Sequence, residues 1–349
     1  MTHKCENGKE KRWQLAEKAR EKKLFQSCCW CVFTARNLTE LGCVGAESDT
    51  WFDLASLTKV FTSTAALAVV REKKLSLDQP IDALLRENGS TIPDECTAGA
   101  QAGLHRITMR KLLTHTSGLM AWYPFYADGR DFWKIMMERL EEPPQQGMVY
   151  SDLNFMLLRE LLCCITSLPF ETVIQRYVSE PAALKTVSFT LPVEAKIAAC
   201  CRDNQIEEKM CADRGFVFHG FRSHDTTVMG QPNDGNAFYY FHGISGHAGL
   251  FGTVDGVARL GQFYLEKKNR WFRQALPPQP GCEGRCLGFH TGVPFPRGCG
   301  HTGFTGTSIW IDSQTDSGMV ILTNRLMCGG TVAPDLTEFR LMMHNTRIM

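Results

Sequence analysis

Ser56 and Lys59 stand three residues apart in the stretch WFDLASLTKVFTSTAALAVV, residues 51–70, where a short polar segment runs into a long apolar one. If the two open a helix they share a face, because positions three apart are neighbours on a helical surface. An alkyl hydroxyl is a poor nucleophile at neutral pH and needs an adjacent base to take its proton as it attacks a carbonyl carbon. A lysine can serve when burial disfavours its ammonium form, so an amine at the head of an apolar helix is expected to lose a proton readily. The plainer reading is an ordinary helix start with a solvated lysine, since an isolated Ser-x-x-Lys recurs by chance.

Two further motifs extend the chemistry. VYSDLNF (149–155) puts Tyr150 before a polar Ser-Asp pair at the start of an apolar helix, and GHTGFTGTSIWID (300–312) is a His-Thr-Gly followed by a strand. In order and spacing the three resemble the Ser-x-x-Lys, Tyr-x-Asn and Lys-Thr-Gly signatures of the serine β-lactamase and penicillin-binding protein superfamily. The resemblance is closest to the class C β-lactamase branch, which includes D-alanyl-D-alanine carboxypeptidases and esterases. LLTHTSGL (112–119) and NDGNAFYYFHGISGHAGLFGTVDGVARL (233–260) also look like that branch, so the likeness runs from about Phe52 to Arg325. It implies a Ser56 acyl-enzyme, with Lys59 and Tyr150 handling protons and both standing as candidate bases. A phenol beside an ammonium has its ionised form favoured, which suits Tyr150 to pass a proton to the leaving group. The helix start offers the Ser56 N–H to an oxyanion. The resemblance supplies the second donor, the N–H of Phe304, and makes His301, Thr302 and Gly303 the substrate-binding strand.

Two positions depart from the family pattern. Asp152 replaces an asparagine, so an amide hydrogen bond to substrate is lost. His301 replaces a lysine and is only partly charged at neutral pH, so it would hold a substrate carboxylate less firmly and activity is expected to strengthen as pH falls. No class A type glutamate loop is evident, which favours the tyrosine-based branch.

Other chemistry-bearing residues read more plainly. His115 in THTSGL belongs to a glycine-capped helix end. His242 and His247 flank GISG as turn histidines satisfied by backbone, with metal ligation the competing reading. Ser245 lacks the final glycine of a nucleophile elbow. Tyr123, Tyr126, Tyr239 and Tyr240 lack the second-motif context of Tyr150. Trp122 and Phe125 are candidates for a pocket wall or for packing. The 15 cysteines include adjacent pairs at 28–29, 163–164 and 200–201. Such pairs suit reduced, buried thiols better than a disulfide framework. CCWC and CEGRC lack second pairs at zinc spacing, so no metal and no cofactor is expected.

Which elements would position these groups? Residues 24–45 read as a hairpin around ARNLTE, and Lys59–Val70 as a helix surrounded by protein. RITMRKLLTHTSGL, DFWKIMMERLEE, SDLNFMLLRELLCCITSL and FETVIQRYVSEPAAL have helical spacing. Beyond Arg214, CLGFHTGV, GTSIWID and GMVILTN look like short strands, and PDLTEFRLMMHNTRIM like a closing helix. An α+β fold follows, with an antiparallel sheet flanked by helices and a mainly helical insert domain of the β-lactamase/transpeptidase type. The expected division is a charged, solvated N-terminal helix over 1–23, a sheet domain from 24–58 and 214–349, and a helical domain over 59–213.

Charge narrows the partners. With 38 Lys+Arg against 37 Asp+Glu the net charge is +1, which marks no nucleic acid or anionic membrane as a partner. No stretch has the roughly 18 apolar residues of a membrane span, and the start lacks a secretory signal. The expected location is therefore cytoplasmic, or periplasmic if the true start lies elsewhere. The expected function is a serine hydrolase acting on a muropeptide, an ester or a β-lactam. A carboxylesterase of the same fold and a penicillin-binding sensor that does not turn over are the alternatives.

Overall fold

The computed structural model describes residues 2–89, 97–202, 204–330 and 332–346. Its centre is a five-stranded, wholly antiparallel sheet in the order 38–44, 28–33, 317–323, 308–312, 299–302. The strand CCWCVF (Cys28–Phe33) has no polar face, and all six of its residues are buried. Alternation along the strand explains this. Cys28, Trp30 and Val32 meet Ala16, Ala19, Phe339 and Met343 of the terminal helices on one side. On the other side, Cys29, Cys31 and Phe33 share a core with Val257, Leu260 and Tyr264 of the helix Val254–Leu265. An antiparallel sheet covered on both faces needs an apolar run in its middle strands, and both ends of the chain supply helices to cover it.

Four local expectations are corrected. The helix Thr2–Glu21 is not solvated all round. Its alternating charges conceal a narrow seam in which Arg12, Ala16 and Ala19 are buried. Arg12 Nη1 there pairs with Glu40 Oε2 at 2.5 Å and Nε donates to the Met343 carbonyl at 3.1 Å. The hairpin turns over 34–37, and Leu38–Glu40 of ARNLTE already belong to the second strand. RITMRKLLTHTSGL yields only the short helix Met109–Leu113, stopped by His115 at φ 58° and Gly118 at φ 82°. CLGFHTGV forms isolated bridges rather than a strand. It is a loop pressed onto the helix Thr58–Lys73, where a Cβ on Gly288, at φ 84°, would lie 1.9 Å from Ser63 Oγ. Left-handed backbone and that close approach both require glycine.

The helices between residues 59 and 213 stack beside the sheet. Thr58–Lys73 packs against Asp152–Thr166 and Phe170–Ile174, so it is enclosed on nearly every side. A small three-stranded sheet pairs Phe52–Asp53 with Phe251–Gly252 and that pair with Val187–Ser188, tying the residues before Ser56 to two distant segments. Among the described residues no single helix is long and apolar enough to cross a membrane. Thirteen cysteines between Cys28 and Cys328 are free thiols.

Candidate active site

The turn that presents Ser56 is strained and heavily supported. Ala55 sits at φ 45°, a conformation that costs a non-glycine residue on the order of 1 kcal/mol or more. Asp53 Oδ1 accepts from the Ala55 N–H at 2.8 Å, and Asp53 Oδ2 from the Asn233 N–H at 2.7 Å. Thr305 Oγ1 donates to the Asp53 carbonyl at 2.7 Å and Thr307 Oγ1 to the Leu54 carbonyl at 3.0 Å. Burial pushes the Asp53 carboxyl up to about 6 despite those donors. Gly303 completes the junction, since a Cβ there would lie 2.1 Å from Thr307 Oγ1 and 2.7 Å from the Leu54 carbonyl. Ser56 follows in a single 3-10 turn, Ala55–Leu57, that runs into the helix Thr58–Lys73.

Lys59 is fully buried, and its ammonium has three partners. Nζ donates to Ser56 Oγ at 2.9 Å and to the His247 carbonyl at 3.1 Å, and pairs with Asp152 Oδ1 at 2.8 Å. It lies 5.1 Å from the centroid of the Tyr150 ring. Burial alone would push the amine down. Asp152 and Tyr150 outweigh it, and Lys59 is held above its ordinary value. This corrects the expectation that an apolar helix makes the lysine readily lose a proton, because Asp152, the departure from the family's asparagine, supplies a carboxylate at contact distance.

Ser56, Tyr150, Asp152, Trp122, Asp234 and Phe304 line one cavity of about 280 Å³. Lys59 reaches Ser56 and Asp152 from beneath it. Tyr150 is braced from behind: the His115 ring lies 4.5 Å from its ring, and His115 Nδ1 accepts from the Ser151 N–H at 3.0 Å. Burial holds His115 well below its ordinary value, so it is a neutral packing group. Arg285, from the CEGRC loop, lies 5.4 Å from the Tyr150 centroid. Lys59 and Arg285 thus place two cations beside the phenol.

His301, Thr302 and Gly303 do not line this cavity. His301 is buried behind Tyr150, with ring centroids 6.1 Å apart, and its Nδ1 bonds the Thr302 carbonyl at 2.8 Å. Burial holds it well below its ordinary value, with the neighbouring His290 and Lys59 adding to the shift. A neutral histidine there corrects the expectation of a partly charged group whose activity strengthens at low pH. Thr302 pairs with Ser308 at the strand end, and Phe304 is exposed at the cavity mouth.

His247 is satisfied by side chains rather than by backbone. Its Nε2 and Asp234 Oδ1 are 2.8 Å apart, its Nδ1 and Ser245 Oγ also 2.8 Å, and the residue is 1% exposed. His242 is an exposed turn residue. Ligand atoms of Asp152, Asp234 and His247 lie within 4.8 Å of one another. Such a group can hold a cation, but Lys59 already occupies Asp152 and His247 occupies Asp234. The other phenols are engaged elsewhere: Tyr123 donates to Asp128 at 2.6 Å and Tyr240 to the Arg130 carbonyl at 2.8 Å, for example. Phe125 is core, and Trp122 is on the wall.

Sequence reasoning missed Asp53, Asp234 and Arg285. Asp53 and Arg285 meet Asn233 and Tyr150 from far along the chain, and the only signals available were a lone acid before the nucleophile, the Asn-Asp-Gly turn and a cysteine-flanked loop.

A family model described as Beta-lactamase matches residues 38–329. Proteins of Salmonella agona and Salmonella typhimurium, each named "Putative D-alanyl-D-alanine carboxypeptidase", are both 26% identical over 314 residues. The match covers 80% and 81% of this chain and 70% and 71% of theirs. Among solved structures, EstCE1, a hydrolase with promiscuous acyltransferase activity, superposes with a TM-score of 0.70 at 18% identity over 98% of both chains. The octameric penicillin-binding protein homologue from Pyrococcus abyssi superposes with a TM-score of 0.67, also at 18% identity, over 95% of this chain and 75% of that one.

Proposed function

Since the chain belongs to the β-lactamase family and is a serine hydrolase of the acyl-enzyme type, we propose that it cleaves small uncharged esters or amides through an acyl group on Ser56. The observation that carries this reading is Lys59 Nζ, set 2.9 Å from Ser56 Oγ and 2.8 Å from Asp152 at the floor of the cavity. An ammonium that donates to Ser56 Oγ orients the nucleophile and leaves the base role to Tyr150. Ser56 Oγ attacks the carbonyl carbon as its proton passes to the Tyr150 oxygen, which this step uses as phenolate. The oxyanion is met by the N–H groups of Ser56 and Phe304. Tyr150 then returns the proton to the departing alcohol or amine. Water then attacks the acyl carbon as its proton passes to the phenolate left on Tyr150, and Tyr150 hands that proton to Ser56 Oγ as the acyl bond breaks and the acid departs.

The substrate class follows from His301. A buried neutral imidazole supplies no charge for a carboxylate, so an uncharged leaving side suits the site better than a D-alanine terminus. One observation favours a second reading. Arg202 is exposed on the cavity wall and is a fit partner for a carboxylate, and the Salmonella relatives carry a carboxypeptidase name.

Stopped-flow release of p-nitrophenol from p-nitrophenyl butyrate tests the proposal. A burst of one equivalent followed by steady turnover is expected, with neither in Ser56→Ala. A burst that stops after one equivalent identifies a sensor, and no burst at all contradicts the reading. Faster release of D-alanine from an acyl-D-alanyl-D-alanine peptide than of p-nitrophenol, abolished in Arg202→Ala, would shift the assignment to the second reading.

A further inference from the structure

Lys59 has two acceptors that belong to the reaction, Ser56 Oγ and Asp152, and one that does not, the carbonyl of His247. That carbonyl comes from a loop 188 residues away. Nothing in the acyl-enzyme chemistry requires it to be there. What fixes it is the imidazole of the same residue, clamped on both ring nitrogens by Ser245 Oγ and Asp234 Oδ1, each at 2.8 Å.

The hydrogen bonds form one continuous chain. Asp234 Oδ1 also accepts from the Ala237 N–H at 2.8 Å, which anchors its own loop. His247 Nε2 reaches Asp234, and Nδ1 reaches the wholly buried Ser245. Next to the clamp, Thr62 Oγ1 donates to the Gly246 carbonyl at 2.7 Å and the Leu250 N–H to Thr58 Oγ1 at 3.2 Å, so the loop lies along the face of the helix that carries Lys59. Burial works against the Asp234 carboxylate, but His247 outweighs it and holds the carboxyl below its ordinary range. Ser245, His247 and Asp234 have the bonding pattern of a hydrolytic triad. Ser245, however, has no exposed surface and does not line the cavity, so it cannot meet a substrate.

We propose that Asp234 and His247 are positioning residues: the clamped imidazole sets the His247 carbonyl, and that carbonyl aims the Lys59 ammonium at Ser56. The inference rests on the acyl-enzyme reading. With the clamp open, Nζ keeps its charge and its pairing with Asp152 but loses the third direction that fixes where it points. A misdirected ammonium leaves Ser56 Oγ less well oriented, and opening the clamp at Ser245, which is off the cavity lining, leaves the substrate-binding wall unchanged. Acylation should therefore suffer and binding should not. Small misplacements of a catalytic group cost on the order of 100-fold in rate.

The test measures the acylation rate constant and the substrate dissociation constant separately, by stopped flow with p-nitrophenyl butyrate, for the full-length wild type, Asp234→Ala, Asp234→Asn and Ser245→Ala. Circular dichroism gives the folded fraction of each. In Asp234→Ala the acylation rate constant is expected to fall roughly 10- to 100-fold, and the dissociation constant is read in Ser245→Ala, off the cavity lining, where it should stay within about twofold. Asp234→Asn keeps an amide oxygen that accepts the same bond, and should stay within about threefold of the wild type. Ser245→Ala, which removes the other support, should give a smaller loss of the same kind and decides the matter if Asp234→Ala does not fold. Wild-type acylation in folded Asp234→Ala or Ser245→Ala overturns the proposal, as does a loss in Asp234→Asn equal to that in Asp234→Ala, or one confined to the dissociation constant. Failure of the wild type itself to acylate would instead overturn the acyl-enzyme reading.

Discussion

At Lys59 burial and charge compete, and charge wins because the carboxylate of Asp152 is in contact. The sign of the consequence is fixed. The folded-state value of Lys59 is raised above 10.5, so the ammonium persists until the pH passes well beyond the ordinary lysine range. Asp152→Asn removes the larger of the two charges that raise it and leaves Tyr150 alone against the desolvation that lowers it. If Ser56 is oriented by an ammonium, the alkaline limb of kcat/KM should move to lower pH in Asp152→Asn, by about one unit or more. A profile measured between pH 7 and 10.5 checks this, and an unmoved limb would show that the charge on Lys59 is not used. Ser56 and Lys59 were legible in the sequence because both lie within one helical turn, where spacing alone determines a shared face. Tyr150 was legible through its motif. Neither spacing nor motif reveals that Asp234 approaches His247 or that Arg285 approaches Tyr150, because loops separated by many residues meet only once the chain is packed.

Among the elements, the nucleophile turn and the N-terminal helix carry the most specific expectations. Ala55 is held at φ 45° by Asp53, Thr305 and Thr307. Ala55→Gly relieves the left-handed strain and is expected to change stability by less than about 1 kcal/mol, whereas Ala55→Val should cost about 2 kcal/mol or more. Urea unfolding of the two variants distinguishes them, and equal effects would mean the turn is not strained. The buried Arg12 is the second case, because it leaves Glu40 without a counter-charge when removed, although Trp30 Nε1 still donates to Glu40 at 2.8 Å. Arg12→Ala should cost about 3 to 5 kcal/mol, a loss that a solvated helix would not show. The apolar run of Cys28–Phe33 announced its strand, and GTSIWID and GMVILTN announced theirs. The seam of the N-terminal helix stayed hidden because alanine and one arginine carry it, and alternating surface charge dominates the pattern.

For the molecule as a whole, both ends of the chain build one sheet, and the change from helical spacing to short strands beyond Arg214 made that arrangement readable. What composition did not reveal is how each face is sealed. His344, in the closing helix Thr337–Asn345, is buried against Trp310 and Phe295 with ring centroids 5.2 and 5.8 Å away. Among the described residues neither of its ring nitrogens has a hydrogen-bond partner. Burial pushes it down to about 3, so between that value and the ordinary 6.5 the unfolded chain binds a proton that the folded chain refuses. Stability is therefore lost as pH falls through 6.5. His344→Phe should stabilise the protein more at pH 5 than at pH 7.5, by about 2 kcal/mol; urea unfolding at both pH values reads the difference, and an equal effect at both would contradict the assignment. The claim on which the whole account depends is that Ser56 becomes acylated. Intact-mass spectrometry after brief incubation with p-nitrophenyl butyrate, followed by peptide mapping, addresses it directly: the wild type should gain one butyryl group on the peptide containing Ser56 and Ser56→Ala none, whereas an unmodified wild type, or a label that persists in Ser56→Ala, would contradict it.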